Sequence, residues 1–124
     1  MIIAKNWQRT EGGLIFLICA FLAMSTGYDI AWWGLLVVFF LPDISLAGYA
    51  LGAKPGAVIY NLVHSYAGGV LLLVAGVITG NKQMLTWGAL WLSHCGFDRM
   101  LGYGLKSPEG FQLTHLGRIG RPRD

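Results

Sequence analysis

Charge is what this chain has least of. Asp, Glu, Lys and Arg make up 12% of its 124 residues, about half the share of an ordinary soluble domain. Proline occurs four times and cysteine twice. Cys19 and Cys95 both fall inside apolar runs with no motif spacing between them, which argues against a disulfide framework or a zinc ribbon. No small-residue cleavage site follows the first apolar run before Tyr28 and Asp29, so that run reads as a retained helix and not a secretory signal. The net charge of +3 does not argue for nucleic acid. The basic residues lie between and after apolar runs, where they orient a membrane protein and meet anionic headgroups.

What remains is apolar. Hydrophobic residues reach 55% and the mean hydropathy is +0.56. The length allows one domain, residues 1–124, ending in a short basic tail from about residue 106. Four spans can be drawn: Glu11 to Gly27, Ile30 to about Gly52, Gly56 to Thr79, and Gln83 to about Leu105. The fold expected is all-α, a four-helix transmembrane bundle. The first span is short, about 17 residues or roughly 26 Å. The second is interrupted by Pro42 and Asp43. Stopping at Leu41 leaves about 12 residues, or roughly 18 Å, too short to cross. A kinked helix running on to Tyr49 is therefore expected, with a broken helix as the alternative.

Lys5, Arg9, Lys54, Arg99, Lys106, Arg118, Arg121 and Arg123 fall on one side of these spans and only Lys82 on the other. The positive-inside rule then places both termini on the cytoplasmic side of the membrane. Tyr28, Trp32, Trp33 and Trp87 supply an aromatic belt opposite. Glycines four apart (Gly48 and Gly52, Gly52 and Gly56, Gly76 and Gly80) permit close helix approach and a homo-oligomer. No repeat relates the two halves, which removes the usual transporter signature.

The residues a bilayer excludes are the informative ones. Glu11 opens the first span, Asp43 interrupts the second, Asn61 and His64 lie in the third, and His94 and Asp98 in the fourth. Counted from the cytoplasmic flanks (Lys54, Pro55 and Lys106), Asp43, His64 and His94 sit at similar depths of about 16, 13 and 18 Å. Ala57, Asn61, His64, Gly68, Leu71 and Ala75 form one stripe of the third helix, and Trp87, Trp91, His94, Asp98 and Leu101 one stripe of the fourth. His94 and Asp98 are four apart and reach a common point. Each residue also has an ordinary role: Glu11 as a helix N-terminal charge, Asp98 as a partner of Arg99 or Lys106, His64 as an interhelical hydrogen-bond partner, Asp43 as a local cap. Convergence at one depth favours a shared site.

Three chemistries suit such a set. His64, His94, Asp98 and Asp43 can ligate a divalent metal, zinc first, with Glu11 as a further ligand or in the outer shell. Asp43 then doubles as base and Asn61 orients, in a hydrolase acting on a lipid-like ester or amide. Arg99, Lys106 and Arg118 would hold an anionic headgroup, with His115 folding back over the mouth. The two histidines could instead be axial haem ligands in an electron-transfer protein, or the carboxylates and imidazoles a proton or ion path. A structural or partner-binding subunit is the fourth class. In the tail, Ser107 before Pro108 reads as a helix N-cap and first-turn pair.

Arg9-Thr10-Glu11-Gly12, Leu41-Pro42-Asp43, Tyr60 to His64, Phe97-Asp98-Arg99, Leu101 to Lys106 and Thr114 to Gly120, together with His94, carry a resemblance across nearly the whole chain. It is similar to a bacterial membrane family known as domain of unknown function 4260. The resemblance implies a small polytopic protein and brings no activity with it.

Overall fold

The computed structural model describes residues 2–120; Arg121 and Arg123, counted above among the basic flanks, lie outside them. Helix α1 spans Ile2–Ser25 and α2 spans Trp32–Phe40, continued by a 3-10 segment, Leu41–Leu51. Helices α3 (Ala53–His64) and α4 (Tyr66–Thr79) follow one another across Ser65, and α5 spans Lys82–Leu101. The chain is mostly helical, as the composition requires.

Two helical stretches are long and apolar enough to cross a membrane, Trp32–Leu51 and Ala53–Thr79. Helices α1 and α5 are not among them. Lys5, Arg9 and Glu11 lie within α1, and Lys82, His94, Asp98 and Arg99 within α5. Helix α1 starts nine residues earlier than the span drawn from sequence, so Glu11 is an interior residue and has no helix N-terminus to stabilise.

At Pro42 the helix neither kinks and continues nor breaks. It tightens. Pro42 sits in the first turn of the 3-10 segment, where its missing N–H costs nothing. The tighter winding rises about 2.0 Å per residue, so eleven such residues after nine α-helical ones cover roughly 35 Å. That length is enough for the hydrocarbon thickness of a bilayer, which twelve residues would not cover. Gly52, at φ 115°, makes the reversal into α3 that a side chain would resist. Helix α3 then packs back along the 3-10 segment, with Gly56 against the Tyr49 ring.

The third span is not one helix. Ser65 is extended, at ψ 159°, and resets the phase between α3 and α4. The single stripe drawn from Ala57 to Ala75 is therefore split, and Leu71 is 70% exposed.

Helix α5 is the centre of the molecule, packed by α1, α4 and α2. Glycine sets the spacing. A Cβ on Gly96 would lie 2.6 Å from the carbonyl oxygen of Gly12 in α1, and one on Gly88 would lie 2.6 Å from the backbone nitrogen of Leu73 in α4. These contacts, more than the four-residue spacings noted in the sequence, bring the helices together. The largest fully buried side chains are His64, His94, Thr86, Cys95 and Ser93. Ser93 donates to the Phe16 carbonyl at 2.9 Å, and the Thr86 and Thr26 hydroxyls share a hydrogen bond. Leu17, Ile18 and Phe21 of α1 and Val74, Val77 and Ile78 of α4 are exposed. The interior mixes these polar groups with a small apolar cluster of Ala23, Ala89 and Leu90, and the surface is largely apolar. Cys19 and Cys95 are free thiols.

The tail is a three-stranded antiparallel sheet, β1 (Lys106–Ser107), β2 (Gly110–Thr114) and β3 (Gly117–Arg118). The helix start expected at Ser107 and Pro108 is replaced by a turn, in which the Ser107 hydroxyl accepts the Glu109 N–H. Pairing partners for β2 on both sides outweigh a local capping signal.

Candidate metal centre

Four side chains from three elements converge. Asp43 comes from the 3-10 segment, His64 from the last residue of α3, and His94 and Asp98 from successive turns of α5. One donor atom of each lies within 4.8 Å of all the others. The Nε2 atom of His64 is 3.3 Å from Asp43 Oδ1 and 3.5 Å from Asp98 Oδ2, and that of His94 is 3.2 and 3.5 Å from the same oxygens. The two Nε2 atoms are 3.3 Å apart. A tetrahedral ion with bonds of 2.0–2.2 Å requires donor separations of about 3.3–3.6 Å. Four of these five distances fall in that range and the fifth, at 3.2 Å, lies just below it; the remaining edge, between the two carboxylates, is within 4.8 Å.

The hydrogen inventory sharpens the point. His64 Nδ1 lies 3.0 Å from the Tyr60 carbonyl, which can only accept, so Nδ1 carries the hydrogen of the neutral ring. Its Nε2 then turns a lone pair toward two carboxylate oxygens that also offer lone pairs. His94 Nδ1 is buried without a hydrogen-bond partner. Even with its hydrogen on Nε2, His94 can serve only one of three acceptors.

Exposure is uneven. The side chains of His64, His94 and Asp98 are 0, 1 and 12% exposed, whereas Asp43 is 44% exposed. Tyr60 stacks on His64 with ring centroids 3.8 Å apart, and Phe39 meets His94 edge-on. Three donors are fixed and dry, and one stands at the opening.

The sequence profile of the family described as Domain of unknown function (DUF4260) matches residues 5–119. The chain belongs to DUF4260. No curated protein and no solved structure matches it. The stretch shared with DUF4260 holds all four donors and the tail sheet.

Other residues singled out in the sequence take different parts in this DUF4260 chain. Asn61 does not orient a donor. Its amide donates to the Lys106 carbonyl at 2.8 Å and accepts the Lys106 N–H at 2.6 Å, stitching β1 to α3. Glu11 is outside the cluster and lines a recess with Gln8, Tyr66, Arg99 and His115. His115 locks the tail, accepting the Leu105 N–H on Nδ1 at 2.8 Å and donating from Nε2 to Gln8 at 2.9 Å. Burial first, and then the positive Arg99, push its pKa below the usual histidine value.

Two of the three cations expected at a headgroup are committed elsewhere. Arg99 is buried and donates to the carbonyls of Tyr103 and His64 at 3.0 and 2.9 Å. Lys106 places its ammonium 3.7 Å from the Phe111 ring centroid and 5.1 Å from that of Tyr60, and burial lowers its pKa against the pull of Asp98. Arg118 is exposed on the outer strand β3.

Sequence reasoning missed the device that aims His64. The break at Ser65 frees the last carbonyls of α3, and α5 supplies their partners. Trp91 Nε1 donates to the Val63 carbonyl at 2.6 Å, Arg99 takes that of His64, and the Cys95 thiol faces those of Val63 and Ser65 at 3.6 and 3.7 Å. Trp91, Cys95 and Arg99 are spaced four apart on one face of α5. That spacing, on the helix already carrying His94 and Asp98, is the signal that was available.

Proposed function

We propose that the Asp43–His64–His94–Asp98 cluster is a divalent-metal site, zinc fitting best, in a membrane-embedded hydrolase of a lipid-like ester or amide. The observation that carries it is the convergence of two imidazole nitrogens and two carboxylate oxygens, one atom from each residue, to within 4.8 Å of one another. Two neutral imidazoles and two carboxylates suit zinc, with iron or manganese next. A haem is a poor fit. It would need the imidazoles to face one another across a flat macrocycle, and here both Nε2 atoms have carboxylate oxygens at 3.2–3.5 Å.

An ion held by His64, His94 and Asp98 would keep a fourth position for water, and would supply the charge that polarises the carbonyl and acidifies that water. Asp43 does the proton work. Its Oδ1 faces the imidazoles, and its second oxygen takes the proton as the water oxygen bonds to the carbonyl carbon. The ester or amide bond then breaks, and Asp43 returns the proton to the leaving oxygen or nitrogen. His64, His94 and Asp98 stay fixed throughout.

The outward apolar faces of α1 and α4 and the two long apolar stretches support residence in a bilayer. We infer four spans with both termini on the cytoplasmic side of a bacterial inner membrane, from the basic flanks.

The test is elemental analysis of the purified full chain after growth with added zinc. About one ion per chain is expected, and none with His64→Ala or His94→Ala. A wild-type chain without stoichiometric metal overturns the reading.

A further inference from the structure

A groove of about 270 Å³ runs beside the cluster, with Val38, Leu72 and Trp87 among its walls. Pro42, Val63 and Trp91 also line it. Pro42 precedes Asp43, Val63 precedes His64, and Trp91 lies one turn before His94, so the groove's lining is continuous in backbone with three of the four donors. We infer that this groove is the acyl subsite of the metal centre, holding the hydrocarbon chain of the ester or amide whose carbonyl lies at Asp43. The inference rests on the hydrolase reading and adds the class of chain that the substrate must carry.

Two observations choose the occupant. The side chains that line the groove offer two hydrogen-bonding groups, the indole N–H of Trp91, already given to the Val63 carbonyl at 2.6 Å, and that of Trp87. A headgroup or sugar, which carries several polar groups, would find only the Trp87 N–H to meet them. Position supplies the source. Val38 and Pro42 belong to the stretch Trp32–Leu51, and Val63 and Leu72 to Ala53–Thr79, the two stretches apolar enough to cross a bilayer. A chain sliding in from lipid keeps its apolar surroundings throughout, and only its carbonyl end meets the charged cluster.

The experiment uses the full chain in lipid nanodiscs with a palmitic-acid probe bearing a mid-chain diazirine. Photolabelled residues are mapped by mass spectrometry, and metal content is measured in the same samples. Label is expected on groove residues of the unsubstituted chain. Leu72→Trp, which fills the groove, should cut it at least fivefold, and Leu71→Trp, on the exposed face, should leave it unchanged. Metal content should stay the same in both variants. Label spread evenly over the outward faces, or undiminished by Leu72→Trp, overturns the acyl subsite and leaves the metal reading standing. Groove-specific label on a chain that holds no metal overturns the metal reading and with it the groove's role in hydrolysis. If Leu72→Trp does not fold, the map on the unsubstituted chain decides alone.

Discussion

Helix α5 and the stretch from Leu41 to Ser65 each supply two donors to one cluster, by opposite means. Helix α5 is regular from Lys82 to Leu101, and its His94 and Asp98 face one point because they are four apart. The facing stretch is irregular: a 3-10 segment, a positive-φ glycine, a short helix and a break. Asp43 and His64 are aimed by those irregularities. One half is a rigid template, and the other is shaped onto it by α5 side chains that take its loose carbonyls. Backbone irregularity at this depth is tolerable only where such partners exist.

The comparison breaks most severely on the template side. Gly88→Leu forces a side chain into the backbone of α4. A loss of about 3 kcal/mol or more is expected, read as a collapsed thermal transition and aggregation on size exclusion. A stable, monodisperse variant would show that α4 is free to move away from α5.

Arg99→Met is the sharper probe of coupling. It leaves the His64 and Tyr103 carbonyls without their guanidinium, which costs about 1–3 kcal/mol for each. Metal affinity should fall about 10–100-fold, since His64 loses its orientation while all four donors remain. Arg99→Lys should restore part of it. Unchanged affinity in the Met variant would detach the break from the site.

Asn61→Ala acts on the irregular side alone. Removing two hydrogen bonds to Lys106 should weaken tail docking by about 1–3 kcal/mol, seen as faster amide exchange from Lys106 to Arg118. Bound metal should be retained. Loss of metal with a protected tail would return Asn61 to the site.

The smallest effect is one of pH. His115 is docked as the neutral ring, and its pKa lies below the unfolded value of 6.5. The unfolded chain therefore binds more protons between those two values, and stability falls as pH drops through that window. Above pH 6.5 the contribution is fully present, and below the folded value the loss levels off. Amide exchange of Leu105 and His115 should speed up modestly on acidification, and His115→Gln should flatten the response. An unaltered pH response in that variant would move the effect to another group.

Sequence legibility follows the same division. Helical spacing announces the His94–Asp98 pair, and counting from the cytoplasmic flanks puts Asp43 and His64 at a matching depth. The break at Ser65 has no local announcement, because no proline or glycine lies at His64, Ser65 or Tyr66 and the cause is tertiary. The 3-10 winding after Pro42 is a matter of i to i+3 bonding, which apolar periodicity does not encode. The tail reads as a helix start from Ser107 and Pro108 alone, and as a sheet only when Gly117 and Arg118 are paired back to Thr114 and Leu113. The roles of Asn61 and Arg99 were hidden for one reason: both bind backbone, and a sequence names side chains, not the carbonyls left free by a distant break.

The uneven exposure of the four donors has a kinetic consequence. An ion held among them is walled by three dry side chains and can be approached by a chelator only past Asp43. Release would then begin with that one carboxylate swinging away while the other three donors stay put. Residence time, more than equilibrium affinity, would decide whether such an ion survives dialysis, and Asp43→Asn should shorten it more than it empties the site.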